Sequence, residues 1–146
     1  MIFTKLKLEN FKSHENTTIK FDKGISVIVG ENGAGKSTIL EAISFALFKQ
    51  HTAKRIDDLV RNNSDYMSVS LEFISNGREY KIVRTKKSSM KSSIFKRTST
   101  QGDYVKMADG DKDVASEIHQ ILDIDSDLFL NAIYIRQGEI ADLVDK

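Results

Sequence analysis

Ile25-Ser26-Val27-Ile28-Val29-Gly30-Glu31-Asn32-Gly33-Ala34-Gly35-Lys36-Ser37-Thr38 is the most informative stretch of this chain. Its first five residues are nearly continuous in β-branched apolar side chains, which suits a strand buried on both faces, as in a parallel sheet. A glycine-rich loop follows at once. From about Lys36 to Phe48, Ile39, Leu40, Ile43, Ala46 and Leu47 recur at the spacing of one helix face. Gly30, Gly35, Lys36 and Ser37 meet the pattern G-x-x-x-x-G-K-[ST]. Glycines let successive N–H groups turn toward one centre, and the helix behind them adds its free N–H groups and positive dipole end. Lys36 supplies a cation between the β- and γ-phosphates, and the Ser37 hydroxyl is a ligand for Mg²⁺. The stretch predicts a site for a nucleoside triphosphate, ATP with Mg²⁺.

Working outward, Ile2 to Phe11 alternates as a strand, with Leu6, Leu8 and Phe11 as its strong points. Thr17 to Phe21 reads as a second short strand. Beyond the helix, Val69, Leu71 and Phe73 alternate with polar residues, and Asn76-Gly77 is a hairpin signal because both residues tolerate a positive φ. Tyr80, Ile82 and Val83 lie on the return strand. Ser88 to Ser93 reads as a polar loop, with another hairpin around Gln101-Gly102. Residues 66–107 therefore predict an antiparallel β-layer. A helix is expected from about Asp113 to Leu122, with Val114, Ile118, Ile121 and Leu122 inward and Asp111 as its cap. Residues 109–146 read as a helical segment. The fold class is α/β.

The chain has 146 residues, with 40% hydrophobic and 29% charged side chains, proportions of an ordinary globular domain. No apolar run approaches the roughly 20 residues needed to span a bilayer, and the start does not read as a signal peptide. There is no cysteine, which excludes disulfides and thiolate metal sites. The expected compartment is the cytoplasm, at the nucleoid in a prokaryote. The formal net charge of +1 conceals an asymmetry. Residues 78–108 carry 9 basic and 2 acidic side chains, and residues 109–146 carry 3 basic and 10 acidic ones. The basic block, with Lys86, Lys87, Lys91, Lys96 and Arg97 in or beside the serine-rich loop, is the candidate contact for double-stranded DNA. Solvated faces would have the same composition.

Other chemistry is excluded by spacing. Asp109-x-Asp111-x-Asp113 imitates a calcium loop, but Val114 and Gln120 stand where glycine and glutamate are required. His14, His51 and His119 are scattered and do not form a zinc pattern. Phe45, Phe48 and Phe129 read as core. Hydrolysis by a phosphate-loop ATPase also needs an acidic residue at the end of an apolar strand. Ala132 to Ile135 leads instead to Arg136, and Leu59-Val60 leads to Arg61. The specificity motif of GTP-binding switches is absent as well. The chain reads as a nucleotide-binding module or as part of a larger ATPase.

Asn32-Gly33-Ala34-Gly35-Lys36-Ser37-Thr38 has the asparagine-containing form of ABC-type ATPases. Asn10-Phe11-Lys12-Ser13-His14 resembles the N-terminal strand of SMC-like repair ATPases. Phe129 through Glu139, with Arg136-Gln137-Gly138 at its end, is similar to the segment that holds that class's Q-loop. Together they resemble the N-terminal lobe of the Rad-fifty family of DNA double-strand-break repair ATPases, over nearly the whole chain.

The resemblance implies a P-loop ABC-type lobe with an antiparallel β-subdomain, residues 1–146 forming the first half of an ATPase head. A C-terminal lobe of the same protein, reached through a coiled coil beginning near Lys146, would supply the missing acidic motif. Two heads would pair around ATP, with a break-processing nuclease subunit and DNA as partners, and no membrane. Asn32 through Thr38 would hold the triphosphate and Mg²⁺. Gln137 would ligate Mg²⁺ or the lytic water, and Lys12 would lie near the nucleotide. A loop within Leu59 to Asn63 would approach the nucleotide too. Two alternatives stay open: a lobe of another SMC-like ATPase or transporter, and a self-contained nucleotide-binding or kinase domain.

Overall fold

In the computed structural model, described residues are 2–21, 34–49, 51, 53–98 and 101–122. Among the described residues the elements run β1 (Ile2–Phe11), β2 (His14–Lys20), α1 (Ala34–Phe48), β3 (Met67–Ser75), β4 (Arg78–Lys86), β5 (Met90–Arg97), β6 (Val105–Asp109) and α2 (Asp111–Leu122), with a 3₁₀ turn at Ile56–Leu59. The six strands form one sheet in the order β2-β1-β3-β4-β5-β6, and every pairing is antiparallel.

The period-two pattern of β3 explains the sheet's two faces. Met67, Val69, Leu71, Phe73 and Ser75 are buried, and the residues between them are partly exposed. Register carries this face sideways, with Leu71 opposite both Leu6 and Ile82, and Ile82 opposite Ile94. A cross-strand partner lies on the same face of the sheet. Buried apolar side chains from four strands therefore form one wall of the core. The Asn76-Gly77 turn has φ of 53° and 75°, as the sequence predicts for a two-residue hairpin.

β1 holds its partners through two interruptions of its alternation. A bulge between Phe3 and Lys5 lets Phe3 and Leu6 both face inward, although they are three residues apart. Asn10 has φ of 53°, a left-handed conformation that asparagine tolerates, and Phe11 thereby turns into the core as well.

Three expectations are corrected. The second strand begins at His14 and ends at Lys20, so Phe21 lies just past it and donates its N–H to the Thr4 carbonyl over 3.0 Å. The serine-rich segment is a loop only as far as Ser89. β5 begins at Met90, which pairs with Lys86 of β4, and within it Ser92 and Ser93 hydrogen-bond to the carboxylates of Asp111 and Asp109. The third concerns α1, which is not amphipathic. Residues 41–47 are all buried, Glu41 and Ser44 included. A helix covered all round is a core helix, and a one-sided stripe does not describe it. α2 keeps the expected inward residues Val114 and Ile118, and Ile121 is partly buried. The antiparallel layer of 66–107 is continuous with β1 and β2, since β3 pairs with β1 along most of its length. The buried strand expected at Ile25–Val29 lies outside the described residues.

Candidate nucleotide site

The backbone of Ala34, Gly35, Lys36, Ser37 and Thr38 forms the start of α1, which begins two residues earlier than the sequence pattern indicates. No acidic side chain lies in its first turn. Asp111 and Asp113, by contrast, occupy the first turn of α2. The positive end of α1 is thus left without a carboxylate of its own, which suits an anionic ligand. Asn32, Gly33 and Gln137 lie outside the described residues.

Lys12 is brought to this helix by a corner at the end of β1. It has φ of 52° and occupies the tight turn into β2, where Phe11 pairs with His14. The backbone here is also held by the segment after α1. Lys12 N–H donates to the Leu59 carbonyl over 2.7 Å, and Arg61 N–H donates to the Asn10 carbonyl over 2.8 Å. Phe11 and Val60 form a single antiparallel bridge between these bonds. The structure therefore joins two predicted segments, Asn10–Lys12 and Leu59–Asn63, that are far apart in sequence. Phe11 seats the corner against α1, its ring centroid 6.3 Å from that of Phe45.

The Lys12 ammonium forms a close ion pair with Glu41, whose side chain is 4% exposed. Glu41 lies one helical turn beyond Ser37 and Thr38, on the same side of α1. Sequence reasoning missed Glu41. The signal was its position, an acidic residue between Leu40 and Ala42 in an otherwise apolar run. Its carboxylate anchors Lys12 beside α1.

A second cluster sits at the other end of α1. Arg84 is 1% exposed, and its Nε donates to the Ala46 carbonyl over 2.7 Å. Its Nη atoms donate to Leu47 O at 3.2 Å and Ser92 Oγ at 2.9 Å. Burial lowers the guanidinium to about 10, opposed by the charge of Asp111, so it stays protonated at neutral pH. Asp111 was expected as a helix cap. Its carboxylate instead accepts from Ser92 and pairs with Lys49 at 2.7 Å. Burial alone would raise the Asp111 carboxyl, but the bonds from Lys49 and Ser92 and the charges of Lys49 and Arg84 hold it below the usual carboxylate range.

A carboxyl depressed in the folded state adds stability that is present at neutral pH and is lost as pH falls through its folded value. The unfolding midpoint should therefore drop on acidification below about pH 4. Asp111→Asn should make that drop shallower in thermal melts at pH 7, 4 and 3. An unchanged pH profile in the variant would remove Asp111 from the account.

The basic block is less free than its composition implies. Lys86 pairs with Asp57 at 3.1 Å, and Arg97 pairs with Glu79 at 3.1 Å while lying over the Tyr104 ring. Lys87, Lys91 and Lys96 are exposed and form no salt bridge among the described residues. A cleft of about 500 Å³ between the β3–β4 turn, β6 and α2 is lined by Arg78, Tyr80, Glu117 and Gln120, and contains none of the predicted nucleotide residues. The described residues include no cluster of His, Asp and Glu able to hold a metal ion by itself. They also include no helix long and apolar enough to cross a membrane.

A family model described as an AAA domain matches residues 5–145. The chain belongs to this AAA domain family. The domain is 41% identical over 147 aligned residues to the DNA double-strand break repair Rad50 ATPase of Thermoplasma volcanium, covering 100% of this chain and 16% of that protein. It is 40% identical to the protein of the same name from Methanococcus maripaludis, covering 99% of this chain and 14% of that one. The AAA domain thus spans about a sixth of these relatives and is Rad50-like in sequence. Among solved structures, it resembles that of the recombination mediator protein RecF-ATPrS, with a TM-score of 0.55 and 19% identity over 77% of this chain and 29% of the other. That likeness is one of fold.

Proposed function

We propose that this AAA domain is the N-terminal lobe of the head of a DNA double-strand-break repair ATPase, binding ATP with Mg²⁺ in a site completed elsewhere in the full protein. The supporting observation is similarity along the whole chain to Rad50 ATPases, with G-x-x-x-x-G-K-S intact at Gly30 to Ser37. Asn32, Gly33, Ala34, Gly35 and Thr38 form the cradle, and Lys36 balances charge on the transferred phosphoryl group. Ser37 and Gln137 are the Mg²⁺ ligands from this chain, and Gln137 reports the γ-phosphate through its neutral, exchangeable amide oxygen. Mg²⁺, when bound, would offset the charge of the triphosphate. Lys12, paired with Glu41 of α1, would lie near the nucleotide, and the Leu59–Asn63 segment is tied to the same corner.

The C-terminal lobe brings the acidic motif that this chain lacks. ATP binding pairs two heads, and hydrolysis releases them, which controls DNA access and a partner nuclease. Steady-state hydrolysis tests the reading, measured for this chain alone and with the rest of its head, with Lys36→Ala as control. Activity that needs both parts and Lys36 supports a split head. Full activity in the lone chain would overturn it in favour of a self-contained kinase or nucleotidase.

Of the exposed lysines of the basic block that form no salt bridge among the described residues, Lys87 and Lys91 lie at the tip of the β4–β5 hairpin and are the proposed contacts for duplex DNA. Reversing both charges should weaken duplex binding by the assembled head at low salt. The slope of log affinity against log salt should fall by about 1–2, as for one or two lost phosphate contacts. Unchanged binding in a salt titration would rule this surface out.

A further inference from the structure

The last carbonyls of a helix have no partner within the helix and are ordinarily met by water or a local cap. In α1 two of them, Ala46 and Leu47, are met by the guanidinium of Arg84, which reaches them from β4. The last turn of α1 has no basic residue of its own. A planar guanidinium with its donors in a fixed fork holds a group in position and orientation, and its charge complements the negative end of the helix. Arg84 is fixed in turn by Ser92 of β5, directly opposite it in the sheet, and by Asp111 at the start of α2, 3.7 Å away. Lys49, one residue past α1, closes the ring on Asp111.

This arrangement determines where α1 lies along its own axis. Apolar packing resists separation of a helix from a sheet but resists sliding much less. Directional bonds to terminal carbonyls resist sliding. The helix is close-packed on every side over residues 41–47, so it moves as a rod and not by bending. At 1.5 Å per residue, the clamped carbonyls stand roughly 18 Å from Ala34, where the phosphate loop joins the helix.

We propose that Arg84 is a positioning residue for nucleotide binding: it clamps the C-terminal carbonyls of α1 to β4 and β5, and so sets the register of the phosphate loop at the opposite end of the same helix. The inference rests on the nucleotide-binding reading above. Ser92, Asp111 and Lys49 act through Arg84 and α1, and none of them touches the ligand. The same two strands end in the hairpin tip that carries Lys87 and Lys91. A load on that tip has a short covalent and hydrogen-bonded route to the loop.

The experiment uses the full-length ATPase with Arg84→Lys, Arg84→Gln or Asp111→Asn, and Lys36→Ala as control. Asp111 is partly exposed, so its variant keeps the question answerable if Arg84→Gln does not fold. ATP affinity, KM and kcat are measured at 25 °C together with the unfolding midpoint. Misplaced phosphate contacts weaken binding of ground state and transition state alike, which raises KM and spares kcat. A merely structural role reduces the active fraction, which lowers apparent kcat and leaves KM in place. The expected result for Arg84→Gln and Asp111→Asn is a rise in KM and ATP Kd of about tenfold. Arg84→Lys keeps the charge without the fork and should fall between them and wild type. Unchanged KM and Kd in the folded variants, whatever the melting shift, would overturn the proposal. If Lys36→Ala also leaves ATP binding unchanged, the nucleotide reading itself fails and this inference goes with it.

Discussion

Lys36→Ala should lower ATP turnover by the completed head about a thousandfold at saturating ATP, the magnitude seen when one preorganised donor to developing charge is removed. Lys36 is the third residue of α1, so its backbone belongs to the N-terminal end of that helix. Phosphoryl transfer needs little covalent chemistry from a protein and depends on positioned charge. An ammonium on a flexible stem meets the phosphates as a point charge, and alanine leaves that charge unbalanced. Lys36→Arg should not restore turnover, because the wider, planar guanidinium is not interchangeable with an ammonium at a fitted site. The check is steady-state hydrolysis across a range of ATP concentrations. Turnover within about threefold of wild type would contradict a role for Lys36 in a charge-stabilising site of this kind.

Phe11→Ala should be the most damaging single truncation in the corner beside that site, costing about 3–5 kcal/mol. The ring is fully buried, packs on Phe45 of α1, and belongs to the residue that bridges Val60. Its neighbours Asn10 and Lys12 both hold left-handed backbone torsions, which persist only where the surroundings enforce them. Removing the ring leaves a cavity that these constrained neighbours cannot close by moving. For a domain of this size the unfolding midpoint should fall by about 10 °C. Phe11→Leu should fall much less, since it keeps most of the volume. Thermal melts of the chain, followed by circular dichroism, provide the test. A drop under about 3 °C for Phe11→Ala would mean that the corner is held by its backbone bonds without the ring.

The period-two strands, the Asn76-Gly77 turn and the two long helices were legible in the sequence because each depends on neighbours within a few residues. Alternation is a local property, and so is the positive φ that Asn76 and Gly77 accept. The character of α1 was less legible. Glu41 and Ser44 look like the polar side of an amphipathic helix until tertiary packing buries them. Asp111 shows the same limit. An aspartate before a helix reads locally as a cap, and only the arrival of Lys49 and Ser92 gives its carboxylate other partners. The basic block misleads for a related reason, since composition does not reveal that Lys86 and Arg97 are already paired with Asp57 and Glu79.

The sequence by itself determined the family, through a phosphate-loop pattern and flanking segments that survive without knowledge of any contact. It also determined which stretches form most strands and helices, because hydrogen bonding and side-chain direction within a strand or helix repeat at short range. Tertiary structure alone decided which distant residues meet. It set Lys12 against Glu41, tied Asn10 and Lys12 to Leu59 and Arg61, and delivered Arg84 from β4 to the end of α1. Those pairings depend on sheet register and on how a helix lies across it. They follow from how the whole core packs, which no short window of sequence contains.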